Sequence, residues 1–503
     1  MFDALISGCG IVFTPMNLLI IIFATTLGVI IGIAPGIGPF MAVVILLPFT
    51  FNVPAESGML ALMSIFVGGA MGGGITSAIL GIPGTPMATA TVFDAYPMSK
   101  KGEAGKAVGY VVTASFFGGV FSLVVCIFTA PLLARIALAF GPPEYAGLAL
   151  MGLSAVIALS HESVVKGVIS LLIGLFLASV GTDEATSDLR FTFGTMQLTK
   201  GIDIVPVLLG LFSISKVLEF VEERLMVVRY DPKALIPRYP SKKEVWKYKG
   251  AYLRASVIGT IIGAIPGVGS VQAAFIAYAE AKRVSRHPEL FGTGIPEGII
   301  STESADNAVS GGALIPMLTL GIPGDAITAI VMATLFVHGL TPGPRFFQTQ
   351  RTMITALYLG MVISNFLMLI LGMYGARLVM GMIARTKESV LIPGVALISM
   401  LATYCVSSSL FDVWIMWVFG VVGYFLVKVK IPLSPIILAI ILGPLFEGSF
   451  RRALTISNGD FTIFIIRPYS AVILALTIFL IVWPYFMNRQ RKSKETPDEE
   501  LGS

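Results

Sequence analysis

Asp3 and Asp94 bracket 90 residues in which Glu56 is the only charged side chain. Few folds are open to a segment so long and so uncharged. Inside a bilayer the backbone N–H and C=O groups find no water, so only helices or closed barrels can cross. Further charge-free runs lie at Lys106–Arg135, Arg254–Glu280, Asp325–Arg345, Arg351–Arg377, Glu388–Asp412 and Arg467–Arg489. Charged residues are 13% of the chain, against about 25% in a soluble domain. At about 20 apolar residues per crossing, the expectation is an all-α polytopic membrane protein with about 10–12 transmembrane helices.

Glycine and proline interrupt these runs in a pattern that occurs twice. The first copy has Gly28, Gly32 and then Pro35-Gly36-Ile37-Gly38. The second has Gly259, Gly263 and then Pro266-Gly267-Val268-Gly269, every matched position 231 residues on. Another motif, Gly81-Ile82-Pro83-Gly84, returns 240 residues later as Gly321-Ile322-Pro323-Gly324. Proline removes an amide donor and frees a carbonyl one turn back; glycine permits turns that other residues resist. The pattern predicts two repeats, each with two broken or re-entrant helices at membrane depth, where transporters build substrate sites. One such motif alone would read as close helix packing. Two motifs duplicated in the same order favour a cavity lining. Gly68-Gly69, Gly72-Gly73-Gly74 and Gly311-Gly312 read as small faces for packing.

Charge orients the two halves. Residues 1–16 carry one Asp and no Lys or Arg, whereas 216–254 carries ten Lys/Arg against five Asp/Glu. The C-terminal tail begins Arg489-Gln490-Arg491-Lys492-Ser493-Lys494. By the positive-inside rule the central loop and the tail are cytoplasmic and the N-terminus is outside. The repeats then enter from opposite sides, as inverted-topology repeats. The expected division is 1–221 for the first repeat, 222–250 for a cytoplasmic linker, 251–488 for the second repeat with C-terminal scaffold helices, and 489–503 for a tail. Asp231-Pro232, Ile236-Pro237 and Tyr239-Pro240 exclude a long helix in the linker. The N-terminus lacks the basic n-region of a cleavable signal.

Each break ends one half-helix and starts another. The new N-terminus offers unbonded N–H groups and a positive dipole end, a ready seat for a carboxylate. The opposing C-terminus offers carbonyls suited to Na⁺. The candidate substrate ligands are the backbone amides of Gly36, Gly38, Gly84, Gly267, Gly269 and Gly324, the hydroxyls of Thr85 and Ser270, and the side-chain amide of Asn307. The candidate ion-coupling group is Asp325, with carbonyls at the breaks made by Pro35, Pro83, Pro266 and Pro323. Asp325 reads either as a cation or proton ligand or as the cap of a new half-helix. Glu303 and Asp306 read equally as intramembrane acids or as residues of a wet loop. Glu56, after Pro54, reads as a helix-start residue.

Enzymatic readings find no support in the motifs. There is no Gly-x-x-x-x-Gly-Lys-Ser/Thr run, no Gly-x-Ser-x-Gly elbow and no His-Glu-x-x-His pair. His161, His287 and His338 are scattered, and Cys9, Cys126 and Cys405 are set singly in apolar surroundings, so they read as small buried hydrophobes. No cofactor is expected beyond a coupling Na⁺ or H⁺.

These motifs carry a resemblance. Gly32-Ile33-Ala34-Pro35-Gly36-Ile37-Gly38-Pro39, Gly81-Ile82-Pro83-Gly84-Thr85-Pro86 leading to Asp94-Ala95-Tyr96-Pro97, Gly263 to Gly269, and Asn307 through Gly311-Gly312-Ala313-Leu314-Ile315-Pro316 to Gly324 resemble the large membrane subunit of the tripartite tricarboxylate transporters, the TctA family. Ala95 stands where that family usually has glycine. The resemblance covers about residues 10–485. It implies a bacterial inner-membrane secondary transporter for carboxylates, driven by Na⁺ or H⁺. It also implies two partners: a small four-helix membrane subunit and a periplasmic solute-binding protein. Members serve citrate, dicarboxylates or aromatic acids, and the resemblance does not choose among them. The rival readings are a stand-alone secondary carboxylate carrier, a channel and an intramembrane enzyme.

Overall fold

The apolar runs become helices whose ends fall at the glycine and proline punctuation. The computed structural model describes residues 2–34, 38–81, 83–158, 164–183, 186–222, 238–376 and 408–479, with a few positions between 393 and 404. Pro35, Gly36, His161, Cys405, residues 223–237 of the expected linker and the tail lie outside the described residues. In chain order the first helices are α1 (Phe2–Val12), α2 (Pro15–Ile33), α3 (Gly38–Leu46), α4 (Ala55–Leu80), α5 (Val92–Met98), α6 (Ala104–Ala137), α7 (Pro142–Ala158) and α8 (Val164–Ala178). Two short strands follow, β1 (Gly181–Thr182) and β2 (Leu189–Arg190). Then come α9 (Ile204–Leu208), α10 (Ser215–Glu222), α11 (Lys242–Lys247), α12 (Lys249–Ala264), α13 (Ser270–Val284), α14 (Pro296–Leu320), α15 (Ala326–Val337), α16 (Pro344–Thr349) and α17 (Arg351–Ile370). The last are α18 (Leu410–Lys428), α19 (Ser434–Ile456) and α20 (Ile463–Ile466).

Among the described residues, five helical runs are long and apolar enough to cross a membrane: Pro15–Ile33, Ala55–Leu80, Val92–Ala137, Arg351–Gly375 and Leu410–Lys428. Shorter apolar helices, among them Ala326–Val337, accompany them. The chain is thus a predominantly α-helical, multi-pass membrane protein. Local chemistry sets the ends. Pro15 occupies the first position of α2, and the Thr14 hydroxyl accepts from the Asn17 N–H at 3.3 Å, the usual way to satisfy an orphan donor.

The helices form two compact units, Met1–Leu138 with Asp203–Phe425, and Ala139–Ile202 with Leu426–Ser503. In the smaller unit α7 and α8 pack on α19. Gly181 pairs with Arg190 and Thr182 with Leu189, antiparallel. Buried Glu144 accepts from Arg467 Nε at 2.6 Å and from the Gly141 N–H at 2.7 Å. Arg190 and Arg451 are both paired with Asp183 and Glu447.

At the centre of the larger unit stand α4 and α14. The apolar window of α4 is 94% buried, against 28% for α18, so α4 is a core helix and α18 a peripheral one. Burial along α14 is equally continuous from Gly298 to Leu320. Each of the two ends on a left-handed glycine, Gly81 (φ 71°) and Gly321 (φ 72°), a conformation that a side chain would strain.

The 231- and 240-residue offsets reappear as one helix crossing used twice. A Cβ on Gly28 would lie 2.5 Å from the Ile65 carbonyl oxygen, and one on Gly32 would overlap that of Gly69. In the second copy, a Cβ on Gly259 would overlap the Ala305 carbonyl oxygen, and one on Gly263 would lie 2.9 Å from that of Val309. Backbones this close require glycine, and small-residue contact drives helix association in lipid. The step between offsets has a structural origin: α3 has 9 residues, whereas α13 has 15, and the connection after it is longer too.

Candidate functional site

In each repeat the two breaks meet. A side chain on Gly38 would start 3.5 Å from Thr85 Cγ2. At the equivalent place, a side chain on Gly269 would start 4.0 Å from Asp325 Cβ, and the Gly267 N–H donates to the Gly324 carbonyl at 2.9 Å. That amide is therefore engaged by the protein itself. Gly84 faces the Gly32 carbonyl oxygen and Thr76. The Thr76 hydroxyl donates to the Ile33 carbonyl at 2.6 Å and ties off the end of α2.

The segments that follow the second breaks, a 3-residue turn at Pro86–Ala88 and the 12-residue α15, are capped in the same way by different residues. Thr85 accepts from the Ala88 N–H at 3.3 Å. Asp325 accepts from the Thr328 N–H at 2.8 Å and from the Thr328 hydroxyl at 2.7 Å, while the Asp325 N–H donates to that hydroxyl at 2.9 Å. The two caps are 240 residues apart, as are their partners Ala88 and Thr328. Of the two readings of Asp325, the cap is present in the structure.

The repeats also reach across to each other. α5 packs against α14, its Phe93 ring meets Phe275 and Tyr278 of α13, and α15 packs against α3 and α4. Asp94 of α5 holds the loop that enters α14: its Oδ1 accepts from the N–H groups of Gly292, Gly294 and Ile295 at 2.8–3.0 Å, and its Oδ2 from the Tyr278 hydroxyl at 2.9 Å. The equivalent residue on α15 is Thr334, whose Oγ1 lies 3.2 Å from that of Thr50 in the loop entering α4. Beside it His338 Nε2 meets the Val53 carbonyl at 2.9 Å. Asp94 is the positioning residue that the sequence reading missed. Its signals were its place at the end of the long charge-free stretch and in the Asp94-Ala95-Tyr96-Pro97 motif.

Glu303 and Asp306 lie within α14 and are buried, so neither is in a wet loop. Glu303 accepts from the Thr91 hydroxyl at 2.7 Å and from the Ser115 hydroxyl at 2.9 Å. It also fills the space left beside Gly74. Ser115 sits in an apolar stretch of α6 and had no sequence signal. Three residues on, Asp306 is 1% exposed, and neither carboxylate oxygen has a hydrogen-bond partner. The neighbouring Asn307 Oδ1 is also unpaired, while its Nδ2 donates to the Glu303 carbonyl at 3.4 Å. The Ser270 hydroxyl, on the first residue of α13, donates to the Asp306 carbonyl at 3.4 Å. The structure thus brings together Ser270, Asn307 and the acids of α14 in the second repeat, and Gly38 with Thr85 in the first.

The model of the tripartite tricarboxylate transporter TctA family matches residues 18–438. The chain is 34% identical over 469 residues to an Agrobacterium vitis protein described as the uncharacterized 52.8 kDa protein in the TAR-I ttuC' 3' region, covering 93% of each chain. A second Agrobacterium vitis protein, described as the uncharacterized protein in the TAR-II ttuC' 3' region, is 34% identical over 224 residues, which is 44% of this chain and 92% of that one. No solved structure matches the chain.

Proposed function

This chain belongs to the tripartite tricarboxylate transporter TctA family, whose members are carboxylate transporters and not enzymes, and on that footing we propose that it is the large membrane subunit of a three-part carboxylate importer. Systems of this family generally combine such a subunit with a small membrane subunit and a periplasmic binding protein. In this reading a periplasmic solute-binding protein delivers the substrate and a small four-helix subunit completes the membrane part. A Na⁺ or H⁺ gradient drives alternating access. The two repeats enter the membrane from opposite sides, so that one arrangement of breaks opens outward and its exchange partner opens inward.

The observation that carries the proposal is the meeting of two helix breaks in each repeat, with the half-helix starts at Gly38, Thr85, Ser270 and Asp325 set beside them. Amides at Gly38, Gly84, Gly269 and Gly324, with Gly36 at the first break, and the hydroxyls of Thr85 and Ser270 would face the substrate. Half-helix starts bind carboxylate through unbonded N–H groups and the dipole, without burying many cationic side chains. The carbonyls at the breaks made by Pro35, Pro83, Pro266 and Pro323, together with the acids of the second repeat, would draw the coupling ion. Uptake of radiolabelled citrate, dicarboxylates and aromatic acids into proteoliposomes, with and without the binding protein, tests this. Dependence on the binding protein and on an imposed Na⁺ or pH gradient is the expected result. Uptake that persists at full rate after the gradient is collapsed would sink the coupling.

A further inference from the structure

The two repeats share a backbone plan, and their chemistry differs at the same few places. Glu303, Asp306 and Asn307 on α14 correspond, 240 residues back, to Met63, Phe66 and Val67 on α4. Asp325 corresponds to Thr85. The second repeat therefore has three buried acids at places where the equivalent positions of the first repeat have none. Among the described residues no lysine, arginine or histidine pairs with any of them.

Their hydrogen bonding separates them. Glu303 has hydroxyl donors on both oxygens. Asp325 has its Oδ1 engaged by the cap. Asp306 has neither oxygen engaged, and the Asn307 carbonyl oxygen beside it is unengaged as well. Leaving a buried acceptor without a donor costs about 1–3 kcal/mol, and more for a charged one. Asp306 and Asn307 are consecutive on a core helix, and an occupant that meets both side chains would serve all three acceptors. A proton on Asp306 supplies a single O–H and leaves acceptors unmatched. A small hard cation takes several oxygens at once. Among the described residues no three His, Cys, Asp or Glu side chains converge as a chelate; one carboxylate with neutral oxygens is a donor set for a monovalent cation.

Taking the transport proposal above as its footing, we infer that Asp306 and Asn307 form the seat of the coupling Na⁺, in the second repeat only. In the first repeat the turn after the second break, Pro86–Ala88, is capped by a neutral threonine, which leaves that repeat's share of the substrate site free of acid. Ser270 stands at the junction: its hydroxyl holds the Asp306 backbone, which links the α13 break to the cation seat.

The test is binding of radioactive sodium to the full chain in lipid nanodiscs, with no carboxylate present. Saturable binding is expected. Asp306→Asn is expected to weaken it by about a hundredfold, in line with loss of a buried charge partner, and Asn307→Ala by about tenfold. Asn307→Ala changes no charge and decides the matter if Asp306→Asn fails to fold. Thr85→Val is expected to lower carboxylate uptake and to leave sodium binding within about twofold, because it removes none of the oxygens of the seat. No saturable sodium binding by the wild type, or unaltered affinity in Asp306→Asn or Asn307→Ala, overturns the inference. Absence of carboxylate uptake by the wild type with its partners would sink the transport proposal instead, and the sodium result would stand apart from it.

Discussion

At position 85 the first repeat caps the turn after its second break with a threonine; at position 325 the second repeat caps a helix with an aspartate. The backbone there is extended in both, with φ of −135° and −147°, and the bonded partner is three residues on in both. On the core helices the comparison runs the same way: Met63, Phe66 and Val67 in one, Glu303, Asp306 and Asn307 in the other, both buried. Two copies of one scaffold can therefore diverge in charge while their packing is kept. The packing lives in backbone contacts at glycine and the charge in a few side chains. Such a pair offers an apolar wall and an acidic one around the same set of breaks.

Four experiments would break or sharpen the comparison. The largest effect is expected at the shared helix crossing. Gly32→Leu drives a side chain into the Gly69 backbone and should cost about 3 kcal/mol or more, enough to prevent recovery of folded protein. Gly263→Leu, where the gap to the Val309 carbonyl oxygen is 2.9 Å, should cost less. Thermal unfolding in detergent reads both, and equal losses would mean that the crossings are not graded as described. Next is the exchange of caps. Thr85→Asp keeps a capping oxygen and adds charge where the substrate is proposed to bind. Carboxylate uptake should fall by about a hundredfold through like-charge repulsion, and because Thr85 is buried the added charge should also cost about 1–3 kcal/mol of stability. Uptake close to wild type would remove the first repeat from the anion site. The reverse change, Asp325→Thr, keeps a capping oxygen, removes a buried charge and should change stability by less than about 1 kcal/mol.

The clamps between the repeats come third. Asp94→Ala strips partners from three backbone N–H groups and Tyr278 and should cost about 3 kcal/mol. Thr334→Val removes one hydroxyl contact and should cost about 1 kcal/mol. A larger loss at Thr334 would invert the ranking of the two clamps. The smallest effect lies outside both repeats, before α12. Hydrogen bonds from the Ser241 backbone and hydroxyl hold the Glu244 carboxylate below its usual range. The folded state thus lowers this group's pKa, so its contribution is present above the ordinary carboxylate range and is lost as pH falls through the lowered folded value. After allowance for solvent exposure it is worth a few tenths of a kcal/mol, roughly. Glu244→Gln should flatten that part of a melting-temperature profile against pH.

Much of the plan was legible along the chain. Absence of charge marks spans, and glycine with proline marks breaks, because both act through the residue's own backbone and solvation. A repeated sequence spacing therefore became a repeated contact, Gly28 and Gly32 on α4, Gly259 and Gly263 on α14. The step from 231 to 240 was visible as arithmetic before the longer α13 explained it. The cap at Asp325 was foreseen as one of two readings for the same local reason, since a cap and its partner are three residues apart.

What only the tertiary structure decided are matters of distant neighbours. Glu303 owes its satisfaction to Thr91 and Ser115, some two hundred residues back, and Asp94 owes its role to a loop nearly as far ahead. Asp306 differs from Glu303 only in what the fold fails to place beside it, and no spacing along the chain records that. Periodicity told which residues belong to the breaks; which of the buried oxygens are left for a cation depends on the hydrogen-bond donors that three-dimensional packing brings to each.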